Sequence, residues 1–66
     1  MKWEGIAGDW GRFKGLVKSR WSKLDAAQLD AIAGQRDRLL VSLEEEYGIT
    51  RGESERQLEA WQDAQD

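Results

Sequence analysis

The sequence predicts an all-α protein, a small bundle of about four short helices. Three observations carry that reading. Proline is absent and no run of alternating β-branched residues favours a strand. Apolar residues recur at helical spacing along successive stretches. Cap signals at Asp25 and Thr50 separate those stretches.

The first stretch has the strongest periodicity. At 100° per residue, Trp3, Ile6, Trp10, Phe13, Val17, Trp21 and Leu24 fall within one stripe roughly 80° wide. Arg12, Lys14, Lys18 and Lys23 lie off it, as a solvated rim does. The early glycines fray or break the first turn, which leaves a main helix over 9–21. The second start is sharp: Asp25 caps, Gln28 reaches back from three positions on, and Leu24 staples against Leu29. From Ala26, the residues Leu29, Ile32, Leu39, Leu40, Leu43 and Tyr47 share one side, with Arg36 among them. Gly34 predicts a break there, although the stripe keeps its phase across it, so one bent helix over 26–47 competes with two. Gly48 suits the left-handed position after a helix, and Thr50 with Glu53 forms a second capping box. A last helix over 51–64 has a thin apolar side, Leu58 and Trp61 backed by Ser54, with Trp61 as its anchor. The predicted core is Trp10, Phe13, Val17, Trp21, Leu29, Ile32, Leu39, Leu40, Leu43, Tyr47, Leu58 and Trp61.

A chain of 66 residues leaves room for one domain, 1–66, with a small core. It has no Cys and no His. Disulfides, thiolate nucleophiles and sulfur-ligated metals are therefore excluded, and the commonest general base and metal ligand is missing. Four tryptophans stand where other small proteins have a staple, each able to bury about 150–250 Å². No apolar run approaches the roughly 18 residues needed to span a bilayer, and the first residues lack the apolar stretch of a signal peptide, so a cytoplasmic protein is expected. Charge is unevenly divided. Residues 1–23 carry six Lys or Arg against Glu4 and Asp9, a balance of +4, and residues 24–66 carry four Arg against eleven Asp or Glu, a balance of −7. The overall charge is −3.

Several motifs invite a chemical reading. Lys14, Lys18, Arg20 and Lys23 interleave with Trp10, Phe13 and Trp21, as in proteins that neutralise phosphates and stack bases. The aromatics nonetheless occupy one narrow stripe flanked by the charges, which favours rings in a core and lysines on its rim. A net negative chain also weakens generic affinity for nucleic acid. Gly8, Gly11 and Gly15 recur at helical spacing away from the stripe, where each costs a helix about 1 kcal/mol. The favoured reason is close approach of a neighbouring backbone, the alternative a partner-binding surface. Glu44, Glu45 and Glu46 spread over about 200° of a helix and read as a solvated face. Arg36 reads as a boundary arginine bonding a carboxylate or free carbonyls rather than an anion ligand. Ser19, Ser22, Ser42 and Ser54 have no His to activate them.

Gly8, Trp10, Phe13, Lys14, Gly15, Val17, Lys18, Trp21, Leu29 and Ile32, followed by Gly34, Arg36, Asp37, Leu39, Tyr47, Gly48, Ile49, Glu55 and Trp61, form an ordered set that resembles the CsbD-like family over nearly the whole chain. The resemblance implies a small, abundant bacterial protein of the general stress response. It implies four or five short helices, arranged as two helical hairpins packed crosswise, and no catalytic activity. Val41 departs from the pattern, standing where relatives often have Gly, Gly52 stands where a helix-friendly polar residue is usual, and 25–27 replaces a more acidic cap. The sequence thus leads to a protein without metal, cofactor or enzymatic activity, a monomer or weak homodimer acting as a structural or protein-interaction module. The alternative is a weak nucleic-acid binder using Lys14, Lys18, Arg20 and Lys23.

Overall fold

The computed structural model describes residues 1–65 and holds five helices: α1 (Trp3–Ala7), α2 (Trp10–Arg20), α3 (Ala26–Ile32), α4 (Arg36–Tyr47) and α5 (Arg51–Asp63). The fold is all-α, as expected, and its five helices lie within the four or five that the family resemblance implies. Of the two outcomes expected for the early glycines, fraying or a break, the chain shows the break, which leaves α1 as a short helix of its own. Gly8 ends α1, and Asp9, at φ −128° and ψ 42°, turns the chain before α2 begins. The phase of the stripe carries across this corner, so Ile6 of α1 and Phe13 and Val17 of α2 enter one core.

Each later boundary has a local cause. Trp21 leaves α2 with its N–H still bonded to the Val17 carbonyl, and Lys18 Nζ donates to Leu24 O across the following turn. Asp25 and Gln28 form the full capping box, with bonds of 2.8 and 2.9 Å. The stretch over 26–47 is two helices. Ala33 (φ 51°) and Gly34 (φ 80°) both take the left-handed region, which turns the chain back and ends the bent-helix alternative. Gly48 (φ 60°) closes α4 in the same manner. Thr50 Oγ1 accepts from the Glu53 N–H at 3.1 Å, but the reciprocal half of the expected box is not made. The Glu53 carboxylate is taken instead by Arg56 and Gln57, which sit one turn on and offer charged and amide donors at 2.6–3.0 Å.

Helices adjacent in sequence pack against one another, α1 on α2, α2 on α3, α3 on α4 and α4 on α5. Aromatic contacts close the ring by bringing α5 back to α2. Trp61 meets Phe13 edge-on at 6.3 Å and Trp21 at 6.0 Å, and Trp21 Nε1 donates to Gln57 Oε1. Ten of the twelve residues named above as core are buried. Trp10 and Tyr47 are only half-buried. Each has a polar end that must reach a partner at the core's edge: Trp10 Nε1 donates to Leu29 O at 2.9 Å, and Tyr47 Oη accepts from the Lys23 N–H. Ile6 and Leu24 complete the core from the same stripe, both fully buried. Ser54 is buried too, with its Oγ bonded to Arg51 O. Every buried side-chain nitrogen and oxygen among the described residues has a hydrogen-bond partner.

Candidate functional site

The cationic face of α2 and the loop after it was the candidate nucleic-acid surface, and its geometry is specific. Lys14 Nζ pairs with Asp30 Oδ1 of α3 at 2.8 Å, and Lys18 Nζ bonds the Leu24 carbonyl at 2.9 Å. The Arg20 guanidinium lies 5.0 Å over the Trp21 ring, and Lys23 Nζ lies 5.1 Å over Tyr47. Arg12, not among the four candidates, sits 4.9 Å over Phe13 and 3.5 Å from Asp9. All four candidates therefore act on the fold: one ties α2 to α3, one caps a turn, and two cover aromatic rings at the core's edge. The indoles are engaged likewise. Trp3 Nε1 donates to Gly34 O at 2.8 Å, tying α1 to the turn between α3 and α4.

The glycines of α2 require a correction. A Cβ at Gly11 or Gly15 would meet nothing within 4 Å, so no neighbouring backbone approaches them. They face water because the helix buries only its aromatic side. A Cβ at Gly8 would come 3.2 Å from Glu4 O in the turn just before it, and the approach of a distant backbone occurs at Gly34, where a Cβ would come 3.1–3.3 Å from Cα, O and Cβ of Ala7. Gly34 is buried in that contact.

A second charged site lies between α4 and α5 and was not foreseen from the sequence. Arg51 reaches Asp37 at 2.6 Å, Glu55 at 3.2 Å and Glu44 at 3.7 Å. The hydrogen bond to Asp37 leads the effects that raise the Arg51 pKa above its ordinary value. Hydrogen bonds from Arg56, then Gln57, hold the Glu53 carboxyl below the usual range, and Glu53 in return raises Arg56. Glu55, four residues after Arg51, is legible as a helical pair, whereas Asp37 and Glu44 are brought in by tertiary packing. The acidic run is thus more than a solvated face. Glu44 joins the Arg51 cluster, Glu46 accepts from Gln28 Nε2, and Glu45 stays in water. Arg36 is half-buried and sits 3.9 Å from Glu59, the boundary role expected of it.

Between α3 and α4 runs an open cleft of about 310 Å³ lined by Gln28, Ala31, Ile32, Asp37, Arg38, Val41 and Ser42. Arg38 Nη1 donates to Ala31 O at 3.1 Å across it. Val41 is 41 % exposed, as is Leu16 on α2. Among the described residues no group of three or more carboxylates, His or Cys is placed to hold a metal ion, and no helix is long and apolar enough to cross a membrane.

Comparison with known proteins places the chain among small bacterial relatives. It is 33 % identical over 66 residues to the UPF0337 protein YjbJ of Escherichia coli O6:H1, covering 100 % of this chain and 96 % of that one. It is 38 % identical over 66 residues to the UPF0337 protein pc0632 of Protochlamydia amoebophila, with the same coverage. With the UPF0337 protein RPA4217 of Rhodopseudomonas palustris it shares 39 % identity over 61 residues, 92 % of each chain. No family model matches the chain, and no solved structure does.

Proposed function

The chain belongs to the UPF0337 family, which corresponds to the CsbD-like proteins, and from that premise we propose a small, non-catalytic cytoplasmic protein of the bacterial stress response that works as a protein-interaction module. One observation carries the interaction reading: Lys14 and Lys18 are bonded within the fold and Arg20 and Lys23 cover the rings beside them, while Leu16 and Val41 remain in water, the second beside an open cleft. A phosphate-binding face needs cations free to meet phosphates and rings free to stack. Here Lys14 and Lys18 serve a carboxylate and a carbonyl, and the rings that would stack bases are packed into the core's edge with Arg20 and Lys23 lying over them. An exposed aliphatic next to a cleft is what a helix-in-groove contact uses. The stress role is supported by the resemblance to the CsbD-like pattern, which implies a general stress protein.

Titration with DNA and RNA at low and moderate salt, followed by tryptophan fluorescence, tests the reading. No salt-dependent change is expected. Binding that weakens steeply with salt would transfer the function to the nucleic-acid alternative through Lys14, Lys18, Arg20 and Lys23. The stress role is tested separately by the protein's abundance in cells moved to osmotic or heat stress, where a constant level would contradict it.

A further inference from the structure

The geometry points to a second copy of this chain as a docking partner, with the outer face of α2 in one copy lying on the outer face of α4 in the other. The inference rests on the reading of the chain as an interaction module and names its partner. Two rows of side chains carry it. On α2, Leu16 stands between Arg12 and Arg20, one helical turn before it and one after. On α4, Val41 stands between Asp37 and Glu45 at the same spacing. All six residues are exposed. The rows have the same length, about 12 Å at 1.5 Å per residue, the same apolar centre, and opposite charge at both ends. Laid together in either direction, each arginine meets a carboxylate and Leu16 meets Val41.

The surroundings favour the match. The cleft beside Val41, walled by Ala31, Ile32 and Ser42, has room for a leucine side chain. Gly15 and Ser19 flank Leu16, and a Cβ at Gly15 would meet open space, so a partner helix can approach closely. The charges are also available. Arg20 lies on Trp21 without a carboxylate partner among the described residues, and Glu45 there has no partner at all. Arg12 lies over Phe13 and 3.5 Å from Asp9, with its side chain still 67 % exposed. Asp37 uses Oδ1 for Arg51, and its side chain is 77 % exposed. Arg38, the one cation within the cleft, is turned onto the Ala31 carbonyl. The rows belong to the two parts of the chain with opposite charge balance, +4 over 1–23 and −7 over 24–66.

Two short rows bury less than the roughly 1,200 Å² at which stable interfaces begin, so the association is weak. Each copy offers both rows, which permits a reciprocal pair or an open chain of copies.

The test uses the full chain and two variants at exposed positions, Leu16→Glu and Val41→Arg. Sedimentation equilibrium is run from about 10 µM to about 1 mM, with circular dichroism to confirm that both variants keep their helices. The wild-type mass should rise above the monomer with concentration, and the rise should weaken with salt. Each variant alone should associate at least about tenfold more weakly. An equimolar mixture should recover association, because Leu16→Glu keeps an intact α4 row and Val41→Arg an intact α2 row. A wild-type monomer throughout, variants that associate like wild type, or a mixture no better than its parts would each overturn self-docking. Such a failure leaves the interaction module standing with a different partner, whereas binding in the nucleic-acid titration would remove the module reading itself.

Discussion

Gly34→Ala tests the packing of the fold at its tightest backbone contact. The substitution does two separable things. It places an alanine at φ 80°, where an L-residue loses about 1–2 kcal/mol, offset by about 0.4–1 kcal/mol from the stiffer unfolded chain. It also puts a methyl group 3.1 Å from Ala7 Cα and 3.2 Å from Ala7 O. Those are backbone atoms of α1 and cannot swing aside as a flexible side chain would. Relief requires α1 to move, which stretches the 2.8 Å bond from Trp3 Nε1 to Gly34 O, worth about 1 kcal/mol. Together the cost is about 1–3 kcal/mol. Gly48→Ala is the internal control, because Gly48 also has positive φ (60°) but a Cβ there meets nothing within 4 Å. It should lose only the conformational part, about 1 kcal/mol. Urea unfolding followed by circular dichroism gives both values. Equal losses for the two variants would refute the claim that α1 is seated against the Gly34 turn.

Gly15→Ala should stabilise the protein by about 0.5–1 kcal/mol, since the residue is mid-helix with open space around its Cβ position; a loss in the same urea assay would mean a neighbour presses on that face. Trp61→Ala removes the contact of α5 with Phe13 and Trp21. The expected cost is about 3–5 kcal/mol from a chain whose length sets a total near 3–10 kcal/mol; an unchanged thermal midpoint would show that α5 docks by other means. Glu53 carries an acid-dependent contribution. Its folded pKa is depressed by Arg56 and Gln57, so the stabilisation is present above the unfolded glutamate value of about 4.3 and lost as pH falls through the lower folded value. Thermal melts of wild type and Glu53→Gln should converge as the pH drops through that window, and a gap that stays constant into strong acid would contradict the assignment.

Much of the fold is legible because its signals are local. The stripe from Trp3 to Leu24, the box of Asp25 and Gln28, and the two glycine stops all act within a few residues. What escaped the sequence depends on which partner wins a competition. Glu53 could reach back to its cap or forward to Arg56, and the charged donor one turn on took it. Trp10 and Tyr47 share a stripe with fully buried neighbours, but a polar atom on each required a place at the edge. The glycines of α2 and the turn at Gly34 look alike as letters, and only the path of α1 decides which one another backbone approaches. The Arg51 cluster was half legible for the same reason, through Glu55 at helical spacing but not through Asp37 and Glu44. The cations of α2 and the loop after it stand on a rim as expected, while the partners that engage them, Asp30, Leu24 O, Trp21 and Tyr47, needed the folded chain.

If Lys14, Lys18 and Lys23 serve the fold and the outer rows of α2 and α4 serve a second copy, the two surfaces respond to different additions. Amide chemical shifts of the isotope-labelled protein, recorded while a DNA or RNA oligonucleotide is added at low salt, test this residue by residue. No shift is expected at Lys14, Lys18, Arg20 or Lys23, whereas raising the concentration of the protein alone should move amides of 12–20 and 37–45. Shifts at those four residues that track the oligonucleotide, with no response to protein concentration, would contradict it.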